Sequence, residues 1–163
     1  TLFPYTTLFR SIPLTEEIEF LKYYLDIEKK RVQNLDYSIQ ISSNLDVETT
    51  NIPPMLIQPL VENAIMHGIR HMDSNGLVKI IFSTTKNGLL RCIIEDNGVG
   101  RQKASEIYAS QTRTHSSKST VINQERIDLF NSAHNEKNIK MQYTDLCYDG
   151  VSGTRVELII DSD

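Results

Sequence analysis

"IEDNGVG", residues 94–100, decides how this chain folds. Apolar residues alternate at Leu90, Cys92 and Ile94, as in a strand, and then give way to an acid, an amide and two glycines set one residue apart. An acid at a strand end is placed to accept a hydrogen bond inside a pocket. Gly98 and Gly100 allow positive φ and let the backbone approach a ligand closely. Asp-Asn-Gly is equally the string of an ordinary turn, so its neighbours have to decide.

Upstream, Val78, Ile80 and Phe82 alternate and Asn87-Gly88 marks a tight turn, which together with Leu90 to Ile94 predicts a β-hairpin. Before it lies "PPMLIQPLVENAIMHG", residues 53–68, a helical region. Pro54 and Pro59 suit first-turn positions, Leu60, Val61, Ala64 and Ile65 face a core, and Gly68 suits a left-handed stop. Asn63 and His67 are four apart and share a face of that helix. Further back, Thr15 followed by Glu16 and Glu17 reads as a helix start. Ile18, Leu21 and Leu25, flanked by Phe20, Tyr24 and Ile27, recur at helical spacing to about Arg31, and Tyr37, Ile39 and Ile41 alternate as a strand.

Downstream, residues 101–119 turn polar around a short helix through Ile107 and Tyr108, and "QTRTHSSKST" has almost nothing to bury. Ile122, Ile127, Leu129, Phe130 and Ala133 predict another helix. Ile139, Met141 and Tyr143 predict a strand, "YDGVSG" a turn, and Gly153-Thr154 opens the last strand through Val156, Leu158 and Ile160. Helices interleaved with hairpin-joined strands predict an α/β fold, a two-layer sandwich with helices on one face of a mixed β-sheet.

Composition narrows the function. A chain of 163 residues supports one ordinary core. A net charge of -4 argues against nucleic acid as a partner, and no apolar run is long enough to span a membrane. Cys92 and Cys147 show no metal-ligand spacing, and the expectation is two free thiols.

The order of the motifs adds what no single one carries. "PPMLIQPLVENAIMHG", then "DNGVG", then a polar lid, then "ERIDLF", then "GTRVEL" resembles the ATP-binding domain of LytS/YehU-type sensor histidine kinases. That domain has the Bergerat fold, shared with gyrase and MutL. "IPLTEEIEFLKYYLDIEKKRVQNLDYSIQIS", residues 12–42, also resembles this branch, in which such a helix links the phosphoacceptor region to the nucleotide domain. The resemblance implies a linker helix over 12–34 and an ATP-binding catalytic domain over 35–163.

Carried over residue by residue, the resemblance implies that Asn63 coordinates a magnesium ion bridging the phosphates of ATP. Glu62 is its acidic neighbour and His67 lies near the phosphates. It implies that Asp96 reads the adenine amino group within the glycine box of Gly98 and Gly100, and that Thr154 braces Asp96 directly or through water. Such a site makes chemical sense: one buried acceptor selects an amino-purine, and phosphate oxygens suit a hard cation that keeps several waters. The activity implied is transfer of the γ-phosphate to a histidine.

Two positions depart from the family. Met66 stands where lysine is common, and Ser117-Lys118-Ser119 stands where a second Gly-x-Gly box is usual. Lys118 is either a replacement cation for the γ-phosphate or a solvated charge, and Ser119 offers a backbone amide and a hydroxyl. These departures favour an alternative, a nucleotide-binding pseudokinase. A third reading, a Bergerat-fold ATPase, wants a water-activating glutamate one turn before Asn63, where this chain has Pro59.

The resemblance also implies partners: an upstream phosphoacceptor domain of the same chain, a response regulator, and a second copy in a homodimeric parent anchored in the inner membrane, with this part in the cytoplasm. None of His67, His71, His115 or His134 has the Pro-His-Phe context of the family's acceptor, so the expectation is a catalytic fragment that does not phosphorylate itself. "TLFPYTTLFRS", residues 1–11, back-translates to a common adaptor of short-read DNA sequencing and is expected to be a scar outside the fold.

Overall fold

The structure, a computed structural model, describes residues 11–111, 118–133, 138–148 and 150–161. The adaptor-like residues 1–10 and most of the lid, residues 112–117, therefore lie outside the described residues. In chain order the elements are β1 (Ile12–Pro13), α1 (Leu14–Arg31), β2 (Leu35–Ile41), β3 (Asn51–Ile52), α2 (Gln58–Asn63), β4 (Gly76–Thr84), β5 (Leu90–Asp96), α3 (Arg101–Gln111), α4 (Lys118–Ala133), β6 (Ile139–Tyr148) and β7 (Val151–Ile160). β1 and β3 form a small antiparallel pair. The other five strands form one sheet in the order β2-β4-β5-β7-β6, with β2 parallel to β4 and every other pairing antiparallel. The expected mixed sheet is therefore present.

One apolar core joins helices and sheet. Leu14, Ile18, Leu21 and Leu25 of α1 share it with Leu60 and Val61 of α2 and with Val78, Ile80, Phe82, Ile94 and Leu158 of the strands. The apolar stripe of α1 is narrow, so its flanking Phe20 and Ile27 turn outward and stay 57% and 50% exposed. Leu129 on α4 is likewise 60% exposed, while Ile127 two residues earlier is buried. The helix start expected at Thr15 falls one residue earlier, with Pro13 at the cap and no side-chain cap. Carbonyls take the place of a capping side chain: Leu14 N–H donates to Thr50 O at 2.8 Å and Thr15 N–H to Val47 O at 3.0 Å.

Two boundaries move for physical reasons. The last hairpin is tighter than the "YDGVSG" turn expected from sequence: β6 runs to Tyr148 and β7 begins at Val151, with Gly150 at φ 80. Thr154 consequently lies inside β7 instead of opening it. Gly68 is not a left-handed stop, since its φ is -92. The helix continues past it, widening into a π turn at Ala64–Gly68 and tightening into a 3₁₀ turn at Ile69–His71. Ile69 is buried in the core, which rewards the continuation. Cys92 is buried, Cys147 is exposed, and both are free.

Candidate functional site

The site grows from the C-terminal end of β5. Asp96 is the last residue of that strand and is only 7% exposed. Its register partners are Val78 on β4 and Thr154 on β7, so it stands at the middle of the sheet, flanked on both sides. Oδ1 accepts the Gly98 N–H at 2.9 Å, and the carboxylate also takes a hydrogen bond from the Thr154 backbone. Burial outweighs these two bonds and pushes the carboxyl up to about 6. A carboxylate held at such a cost by neutral N–H groups is a feature of binding and catalytic sites.

Two glycines let other backbones reach this carboxylate, and a third lets β7 pass close to the Asp96 main chain. A Cβ on Gly68 would meet Asp96 Oδ1 at 2.8 Å, and one on Gly98 would lie 2.6 Å from the same oxygen. The Gly98 Cβ would also collide with the Gly68 backbone at 2.4 Å, and a Cβ on Gly153 would fall 2.1 Å from the Asp96 carbonyl oxygen. Gly98 therefore serves close approach, whereas Gly100 serves positive φ, at 80. Val99 N–H donates to Gly68 O at 3.3 Å, closing the glycine loop onto the helix. Asn97 anchors the other side: its Oδ1 accepts the Leu77 N–H at 2.6 Å and its Nδ2 donates to Asn75 O at 3.1 Å.

Five residues before Gly68, roughly 7 Å of helical rise, stands Asn63 at the end of α2. It is half-buried, and so are Glu62 and His67. Glu62 accepts a hydrogen bond from Gln58 Nε2 at 3.0 Å. Burial first, then the neighbouring His71, hold the His67 imidazole below its ordinary range, which favours its neutral form. The π turn over Ala64–Gly68 packs on β5, β7 and α3. Widened helical turns of this kind recur at functional sites. Among the described residues, no group of three or more His, Cys, Asp or Glu side chains forms a metal site.

The structure thus gathers Asp96, Gly98, Gly100 and Thr154 at one strand end, with the helix of Glu62, Asn63 and His67 closing over it through Gly68. Lys118 and Ser119 begin α4, and their side chains lie outside the described residues, as does Ser117. Exposed Met66 lies on the π turn itself. Sequence reasoning missed Gly68 and Gly153 as packing residues. The signal was there in part, since apolar Ile69 after Gly68 speaks against a stop.

Solved structures that share this fold include histidine kinase catalytic domains. The histidine kinase domain of the Erythrobacter litoralis blue-light activated kinase superposes with a TM-score of 0.61 at 18% identity, covering 91% of this chain and 65% of that one. The nucleotide-free catalytic domain of the histidine kinase ThkA gives 0.59 at 14% identity, covering 93% of each. By sequence, the chain is 38% identical over 91 residues to the sensor protein LytS of Oceanobacillus iheyensis, and 31% identical over 110 residues to LytS of Enterococcus faecalis. Over these stretches the chain is similar to LytS-type sensor histidine kinases. The LytS matches cover 55% and 68% of this chain, but only 15% and 18% of those relatives' own lengths. The sensor protein kinase HptS of Staphylococcus aureus is 29% identical over 102 residues, 63% of this chain and 19% of HptS. No family model matches the chain. Among the described residues, no helix is long and apolar enough to cross a membrane.

Proposed function

We propose that this chain is the ATP-binding catalytic domain of a two-component sensor kinase, passing the γ-phosphate of ATP to a histidine outside the domain. The observation that carries this reading is the buried Asp96 carboxylate, cradled by the backbones of Gly68, Gly98 and Thr154 and, among the described residues, facing no cation in that cradle. An amino group of a purine would complete its hydrogen bonding, which makes the cost of burying the acid understandable. Thr154 braces that acid from the next strand, and Gly98 and Gly100 shape the loop around the base.

Asn63 sits along the helix, on the phosphate side of such a nucleotide. Its single neutral amide oxygen, with no acidic cluster beside it among the described residues, suits a cation that brings most of its ligands as water and phosphate oxygen, which describes magnesium. Magnesium, when bound, supplies charge neutralisation at the phosphates. Glu62 is placed to orient water near it, and neutral His67 to donate one N–H to a phosphate oxygen. Lys118 and Ser119 open the helix after the lid and are candidates for the γ-phosphate. The domain's contribution is positioning and electrostatics, since phosphoryl transfer leaves little covalent work to the protein. A response regulator would receive the phosphate next, and a dimeric parent would present the acceptor.

Met66, exposed on the π turn, favours a second reading in which the domain binds nucleotide without transfer. An ATPase reading is weaker, because Pro59 occupies the first turn of α2. Incubation with γ-labelled ATP, with and without a separately expressed acceptor segment from an intact relative, separates these outcomes. Acid-labile label on the added segment alone supports the kinase reading. Label on neither, with nucleotide bound, supports the pseudokinase. Label on this chain alone refutes an acceptor outside it.

A further inference from the structure

The helix that carries Asn63 is entered through an elbow, Pro53 to Ile57, whose polar groups go to two other helices. Met55 at its tip adopts φ 54, a left-handed conformation unusual for a residue with a side chain. Pro53 and Pro54 have no N–H to satisfy. The N–H groups of Met55, Ile57 and Gln58 all donate to one carboxylate, Glu17 of α1, at 3.0, 3.2 and 3.4 Å. The carbonyls are taken from the opposite side: Arg126 of α4 donates through Nη1 to Met55 O at 2.9 Å and through Nη2 to Pro54 O at 3.1 Å. Glu17 is 2% exposed. It replaces a capping side chain that α2 does not have. Eleven residues on, roughly 16 Å along α1, buried Glu28 pairs with Arg70 at 3.1 Å just beyond the π turn. The segment bearing Asn63 and His67 is therefore held to α1 at both ends, and to α4 at its entrance.

We propose that Glu17 and Arg126 are positioning residues for Asn63, forming a clasp that ties the helix after the lid and helix α1 to one elbow of the nucleotide site. A shift of α4, which begins directly after residues 112–117, would pull on the Met55 and Pro54 carbonyls and so reach both α2 and α1. The geometry is that of a mechanical link between α4 and α1 through the elbow. This proposal rests on the nucleotide reading above.

The test compares Glu17→Gln, Arg126→Ala, Arg126→Lys and the double variant Glu17→Gln/Arg126→Ala with wild type. Leu21→Val serves as a control for general loss of stability. Magnesium-ATP and magnesium-free ADP are each titrated. Loss of charge-assisted bonds at the elbow is expected to weaken magnesium-ATP at least about tenfold while magnesium-free ADP is unchanged. The double variant should be no worse than the weaker single variant, Arg126→Lys should recover part of the loss, and Leu21→Val should show no selective loss. Equal loss of both ligands, or none, overturns the proposal. If wild type binds no nucleotide, the functional reading falls and amide hydrogen exchange decides the clasp on its own. Arg126→Ala should then speed exchange at Met55, Ile57 and Gln58, the amides that Glu17 holds. Unchanged exchange there refutes the link.

Discussion

Asp96→Asn should make the free domain more stable at neutral pH while removing its nucleotide affinity. The wild-type acid is 7% exposed, accepts the Gly98 N–H at 2.9 Å and takes a second backbone bond from Thr154. Burial is the leading cause that moves its carboxyl from 3.8 up to about 6. The folded state thus holds this proton more tightly than the unfolded chain. Stability from this group is complete below about pH 4 and is lost as pH rises through about 6, and the difference corresponds to about 3 kcal/mol. An asparagine keeps an oxygen for both backbone N–H groups and carries no charge. At pH 8 the variant should exceed wild type by up to about 3 kcal/mol, and at pH 4 the two should be nearly equal. Urea unfolding followed by circular dichroism from pH 4 to pH 8 reads this directly. A variant as unstable as wild type, or more so, at pH 8 would refute the view that the ionised carboxylate is a cost the fold carries for function. A gain of stability with a loss of binding is the trade expected where a residue serves a ligand and not the fold.

Nucleotide affinity should itself fall as pH drops through about 6, because a protonated Asp96 is a poorer acceptor; isothermal titration across that range checks it, and a flat profile excludes Asp96 as the acceptor. Gly98→Ala should destabilise by about 1–3 kcal/mol in thermal or urea unfolding, since its Cβ would lie 2.4 Å from Gly68 Cα and neither backbone can yield easily. Asn63→Ala should weaken ATP binding only when magnesium is present, and an equal loss without magnesium would show that the amide acts on the nucleotide itself.

Much of this fold was legible from its alternations and turns. Val78 to Phe82, Asn87-Gly88 and Leu90 to Ile94 specify a hairpin by themselves, and Leu60, Val61, Ala64 and Ile65 mark the buried side of a helix that the structure keeps. Side-chain periodicity says nothing about which backbones will touch, and for that reason Gly68 read as a stop. Its missing Cβ is explained only once Asp96 and Gly98 arrive from residues distant in sequence. The same holds for Glu17. In the sequence it is one of two first-turn acids on α1, and its role as the cap of α2 depends on a contact across about 40 residues that no local pattern encodes. Asp96 was readable because strand, acid and glycines are contiguous. Its raised carboxyl was not, because burial is a property of the assembled core.

The central claim is that Asp96 reads the amino group of adenine. Calorimetric titration of the chain with magnesium-ATP and with magnesium-GTP tests it most directly, because the two purines exchange an amino donor for a carbonyl acceptor at the same ring position. ATP is expected to bind at one site and GTP at least about tenfold more weakly, since a carbonyl facing the carboxylate leaves both acceptors unpaired. Equal affinity for the two nucleotides, or no binding of either, would contradict the account.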